Sequence, residues 1–306
     1  MRGGSACGIG WLILTNMPAI AGDDKPLRRR AAIRTKPESD CDASRQDGPD
    51  PMNQQPARVA DGAFHRRSEI VTREIAPGRL EARAAIEDDY HHFRVLLTAV
   101  DGIITDAHSQ AVRYPNSLCP GAGDRLAELV GRPLVGTAAA VMEYTDARQQ
   151  CTHQFDLGAL AVAALAHRRA HRRYEATVPD RIGGRTSASV RRDGVEVLRW
   201  EMAGTTIEAP EPSAGRSIGS GFTGFIRTLP EDEAEAALVL RRAVYVSQGR
   251  GIDIAALGNA GPRGGCWAWQ PERADKVVRI PSSRLNFSGR EQMLVADDQE
   301  WLAFAG

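Results

Sequence analysis

Short runs of alternating apolar and polar residues, separated by turn signals, fill positions 66–107, and they constrain the fold more than any other feature of this chain. Glu69–Ile75 alternates, and Pro77-Gly78 marks a turn. Leu80, Ala82, Ala84 and Ile86 then share one face of a second run. Phe93–Val100 is a third run, Asp101-Gly102 suits a tight hairpin, and Ile103–Ala107 is a fourth. Side chains alternate across a strand with period two, so each run can bury one face and wet the other. The expected structure is an antiparallel meander.

The pattern then turns helical. Leu126, Leu129 and Val130 have helical spacing within 121–131, and Gly131 suits a C-terminal cap. Val135–Tyr144 reads as a shorter helix. Thr152 caps a third, running from His153 to about Arg169, and its centre, 157–165, is apolar almost all round and should be buried. His167 and His171 lie at i and i+4 there, a zinc-compatible spacing, but the surrounding arginines favour a solvated basic end. Residues 179–185 read as a linker. Beyond them a hairpin is expected around Asp193-Gly194, a helix over 231–247 opening on acids at its positive end, and a last strand at Val277–Ile280. The apolar stripe of the 231–247 helix must pack on the first domain. Gly258–Gly265 lacks the Lys-Ser/Thr ending of a phosphate loop, and no Gly-x-Ser-x-Gly elbow occurs.

The expected class is α+β: a small antiparallel sheet with helices packed on one face over residues 61–178, then an α+β extension over 186–306 packed on that domain. Residues 1–60, rich in proline and charge, read as a disordered segment. Within it, Arg2, the apolar run Cys7–Leu14 and Ala19-Ile20-Ala21 resemble a short secretory signal, while Met52 offers an alternative start. At 42% apolar and 25% charged residues, the chain as a whole can form a packed core. Equal numbers of basic and acidic residues, 39 each, argue against nucleic acid as a partner. No apolar run is long enough to span a membrane, and five scattered cysteines form no disulfide framework. A cytoplasmic protein acting on an unspecified small molecule or protein is the expectation.

Cys119 and Cys151 each stand just before a predicted helix, whose positive end favours thiolate, the form that binds metal or attacks an electrophile. His153 can add an imidazole. Asp88, Asp89, His91 and His92 form a polar cluster between two predicted strands; it either faces the helix starts or is a solvated hairpin loop. The candidate metal residues are Cys119, Cys151, His153 and Asp88, the last as a fourth ligand or an outer partner, with zinc or iron as the ion. Cys266 reads as structural. Two alternatives stand beside this: a metal-free enzyme with a cysteine nucleophile and His153 as base, acting on a small thioester or carbonyl compound, and a partner-binding module with packed thiols.

The run from His65-Arg66-Arg67 through Ile86-Glu87-Asp88, Asp101-Gly102-Ile103-Ile104-Thr105-Asp106-Ala107, Arg113-Tyr114-Pro115 and Cys119 to Leu129-Val130-Gly131 and Cys151-Thr152-His153 resembles a bacterial family known as domain of unknown function 2889. The likeness covers about residues 61–175 and implies no activity. The same order of strands, cysteines and helices is distantly similar to the U-type iron–sulfur cluster scaffold proteins. That resemblance implies a scaffold-like α+β fold with a metal at one end of the sheet. It sets Cys119 on the scaffold's second cysteine and Cys151 on its third. The first scaffold cysteine falls near Asp88-Asp89, where this chain has none, and His153 follows Cys151 where the scaffold's histidine precedes it.

Overall fold

Ile70 on the first strand faces Ala84 on the second, and Ala84 faces Val95 on the third. This register puts the apolar members of each alternating run on one face, as the period-two pattern requires. The structure is a computed structural model describing residues 62–304 except Ser220 and 254–263. The expectations for residues 1–60, including the signal-like run and Met52, lie outside the described residues, as does most of Gly258–Gly265. The strands are β1 (Ala63–Ala76), β2 (Arg79–Asp88), β3 (His92–Val100), β4 (Ile103–Arg113), β5 (His171–Pro179), β6 (Arg185–Arg192), β7 (Val195–Ala203) and β8 (Thr206–Ala209). They form one antiparallel sheet in the order β4-β3-β2-β1-β5-β6-β7-β8.

The mixed α+β class is as expected, but the sheet is not small. It has eight strands, because β5 pairs along β1 from Ala63 opposite Pro179 to Val71 opposite His171 and carries β6–β8 with it. Residues 179–185 are a tight connection between two neighbouring strands of that sheet, closed by hydrogen bonds between Ile182 and Arg185.

Two helices cover one face. Helix α2 (Thr152–Ala166) lies over β1–β3, and α4 (Glu231–Ser247) over β5–β7 and β1. Helix α2 buries nearly every residue from Gln154 to Leu165, which explains a sequence apolar on all sides. Its buried polar residues are Gln154 and Asp156, and Asp156 accepts from Arg242 of α4 at 2.7 Å. Two shorter helices, α1 (Ala138–Val141) and α3 (Phe222–Ile226), pack against α4. The sheet's other face is also covered at β1–β3. Val295, Trp301 and Leu302 pack on Val71 and Ala85, and Arg83 stacks on Trp301 and Phe304.

Several local expectations give way to backbone chemistry. The helix expected at 121–131 is a 3-10 run, Pro120–Leu129, because Pro120, Gly121 and Gly123 disfavour a regular α-helix. The 135–144 helix shortens to α1. Helix α2 ends at Ala166, and Arg168 takes a left-handed φ of 51° before β5 begins at His171. His167 and His171 therefore share no helix face: the first meets Glu231 and the second Glu69. Val277–Ile280 forms no strand, contributing only a bridge between Asn116 and Arg279. No helix among the described residues is long and apolar enough to cross a membrane.

Candidate functional site

The β2–β3 hairpin tip carries Glu87, Asp88, Asp89, Tyr90, His91 and His92 in sequence, and all six are buried. It is therefore not a solvated loop. Its polar atoms are matched by groups from far along the chain. Arg113 and the N–H of Val295 reach Glu87. Arg250 and the N–H of Phe287 reach Asp89, and Asp298 accepts from His92 at 2.7 Å. A buried charge survives only with such partners.

Asp88 is the most fully engaged. Its Oδ1 accepts from the N–H groups of Tyr90 (2.7 Å) and His91 (2.9 Å) and lies 3.0 Å from His91 Nδ1. Its Oδ2 accepts from Arg66, whose Nε is 2.8 Å away. Arg66 sits on the inner face of β1 beside Phe64 and Ile70 and is itself buried. Burial works to raise the Asp88 carboxyl, but the Arg66 guanidinium and His91 hold it well below the usual carboxylate range. Both oxygens are committed, to Arg66, to His91 and to two backbone N–H groups.

His91 stacks on His153, in the first turn of α2, with ring centroids 3.8 Å apart and planes 23° from parallel. Burial lowers the His153 pKa well below its ordinary value, and the neighbouring His91 and Arg66 push it the same way. Burial lowers His91 too, against the pull of Asp88. Burial thus disfavours the imidazolium form of both rings. His153 Nδ1 lies 3.4 Å from Thr152 Oγ1, while its Nε2 is buried with no hydrogen-bond partner. Arg66 Nη1, Asn116 Oδ1 and Gln154 Oε1 are also buried without partners. A small cavity of about 10 Å³ between Arg66, Ser68, Asp156 and Arg242 has room for about one water molecule.

The thiols overturn the expectation of thiolate. Cys119 begins the 3-10 run, where no long helix stands behind it, and burial pushes its thiol up to about 12. Cys151 caps α2 and is pushed up further, first by burial and then by Cys119 and Cys266, while the N–H groups of His153 and Gln154 offset only part. Desolvation outweighs the helix dipole. Both cysteines are free, as is Cys266, which is half-buried.

Cys266 is the residue that sequence reasoning set aside. The N–H of Trp267 donates to the Gln150 carbonyl at 3.0 Å, which brings Cys266 beside the start of α2. No spacing signalled this; the only hint was that three cysteines follow residue 60. Among the described residues, no group of three or more His, Cys, Asp and Glu side chains is arranged to hold a metal ion as it lies.

Residues 58–167 match the family described as "Protein of unknown function (DUF2889)". This part of the chain is a DUF2889 domain. It spans β1–β4, the 3-10 run and α2, so Asp88, His91, Cys119, Cys151 and His153 all belong to it, whereas Arg242 and Cys266 lie beyond its end. No curated protein matches the chain. Nothing in these matches carries the likeness of the DUF2889 domain to iron–sulfur scaffolds.

Proposed function

We propose that the start of α2 is a site for a soft metal ion, zinc or iron, with Cys119, Cys151 and His153 as donors and Asp88 acting through His91. The observation that carries this reading is His153 Nε2: a buried nitrogen without a hydrogen-bond partner, on an imidazole two residues from the free thiol of Cys151, which lies within electrostatic reach of Cys119. Buried polar atoms in folded proteins are nearly always satisfied, so such a nitrogen calls for a ligand or a water. Neutral imidazole and sulfur are the donors that soft and borderline ions prefer over magnesium or calcium.

As they lie, the side chains form no ready coordination shell among the described residues. Taking up an ion turns the thiols inward and removes their protons, and metal binding and deprotonation are coupled for that reason. The high thiol pKa values weigh against the metal-free alternative, in which a cysteine attacks substrate directly, because the nucleophile must be thiolate.

The test is the metal content of the full chain, made without a metal-binding tag in medium supplemented with zinc and iron. The expected result is about one ion per chain, lost in Cys119→Ser and Cys151→Ser. Metal-free protein from that medium overturns the proposal.

A further inference from the structure

The segment after Gly264 is clamped across the two places that carry Cys119 and Cys151. Besides the bond from Trp267 to Gln150, the Gln270 side-chain amide donates to the carbonyls of Arg148 at 2.7 Å and Cys266 at 3.3 Å. Arg273 donates to the carbonyl of Trp267 at 2.6 Å and to the Gln149 side chain at 2.8 Å. On the other side the Trp267 ring packs against Gly121, two residues past Cys119, where an added Cβ would stand 3.1 Å from it. The Gln154 amide, from the first turn of α2, donates to the Cys119 carbonyl at 3.2 Å and closes the ring of contacts. The segment that carries Cys266 thus spans the places that carry Cys119 and Cys151, and all three are free thiols.

We infer that Cys266 is the third sulfur of the metal site, so that the ion is held by Cys119, Cys151, Cys266 and His153. This inference rests on the metal reading above. Three thiolates and one imidazole are a complete tetrahedral set for zinc, with no open position for substrate, and such closed sets are structural rather than catalytic. Binding exchanges three S–H protons for three metal–sulfur bonds; the protons pass to solvent and no oxidation state changes. With Zn²⁺ the site carries one net negative charge, and Arg242 lies within electrostatic reach of Cys151 and Cys266. Arg66 Nη1, Asn116 Oδ1 and Gln154 Oε1 mark the same interior as polar and incompletely satisfied. The ion would tie the segment at 264–273, beyond the DUF2889 domain, to the start of α2, where the bond from Trp267 to Gln150 already joins them.

The experiment uses the full chain, stripped of metal and titrated with Co²⁺ and Zn²⁺ against a chelator of known affinity. Wild type is expected to give a tetrahedral Co²⁺ spectrum with the sulfur-to-metal absorption of three thiolates. Cys266→Ser should lower that absorption by one thiolate's share and weaken zinc by more than the ~10–100-fold typical of losing an outer partner. If Cys266→Ser and Cys266→Ala bind zinc like wild type while Cys119→Ser does not, Cys266 is a bystander and the proposed function stands without it. If wild type takes up neither ion, both fall. Should the Cys266 variants fail to fold, the wild-type spectrum still decides, because the absorption of two thiolates overturns the inference.

Discussion

His91 and His153 stack face to face at 3.8 Å, and only one of them is anchored to a carboxylate. Asp88 fixes the tautomer of His91 by accepting from Nδ1, and His91 in turn fixes the plane of His153. The anchor depends on Arg66, so the alignment of the two rings rests on an ion pair wholly inside the protein.

That dependence makes Asp88→Asn costly. The substitution keeps the shape but leaves the Arg66 charge buried without its counter-ion. Breaking such a pair from one side destabilises by about 3–5 kcal/mol. Urea unfolding of the variant should show that loss as a lower midpoint with an unchanged slope. A loss below about 1 kcal/mol, the size expected of an exposed pair, would mean that the ion pair is not buried as described.

The same residue sets a pH dependence. The Asp88 carboxyl is lower in the folded protein than in the unfolded chain, so the unfolded chain takes up its proton first as pH falls. The stabilisation is therefore complete above the ordinary carboxylate pKa of about 4 and drains away below it, down through the folded value. Unfolding measured between neutral pH and pH 3 should show wild type losing more stability than Asp88→Asn. Parallel curves for the two proteins would contradict this.

The strand pattern was legible because period two is a local signal: Leu80, Ala82, Ala84 and Ile86 point inward as their spacing requires. The width of the sheet was not, because the pairing of β1 with β5 joins residues about a hundred positions apart, and nothing local in His171–Pro179 announces its partner. Arg168–Arg173 looked like a basic helix end because the reversal at Arg168 depends on one left-handed residue that is not glycine. In the site, Cys119, Cys151 and His153 stood out by their positions before helices. His91 was seen as part of a cluster but not as the ring beneath His153, since only the packing of α2 on β2 and β3 brings the two together.

Cys119 and Cys151 should resist alkylation in the folded, metal-stripped protein. With its pKa pushed up to about 12, Cys119 is thiolate in only roughly one molecule in 10⁴ at pH 8, and the thiolate is the reacting form. Treatment of the metal-stripped protein with iodoacetamide at pH 8, followed by mass spectrometry, should label Cys266 ahead of these two, because Cys266 is only half-buried. In denaturant all three should label at similar rates. Rapid native labelling of Cys151 would instead revive the nucleophile reading.

Asp298 tests how the C-terminal segment is fastened over the hairpin tip. It is wholly buried, takes His92 Nε2 at 2.7 Å on one oxygen and Arg94 on the other, and precedes Trp301, whose ring faces Arg83 and Arg94. Asp298→Ala removes an acceptor shared by two donors, leaving the buried His92 Nε2 and the Arg94 Nε unmatched at a cost of about 1–3 kcal/mol for each such group. The neighbouring anchor, the bond from the Val295 N–H to Glu87, is local to the same strap, so the loss should be felt there first. Residues 291–304 would then open below the global unfolding transition, because a strap with few remaining contacts forms its own low-stability unit. Hydrogen exchange should show faster amides in that segment and at the β2–β3 tip, with α4 unchanged. Uniform acceleration across the sheet would mean that the strap and the sheet unfold as one unit.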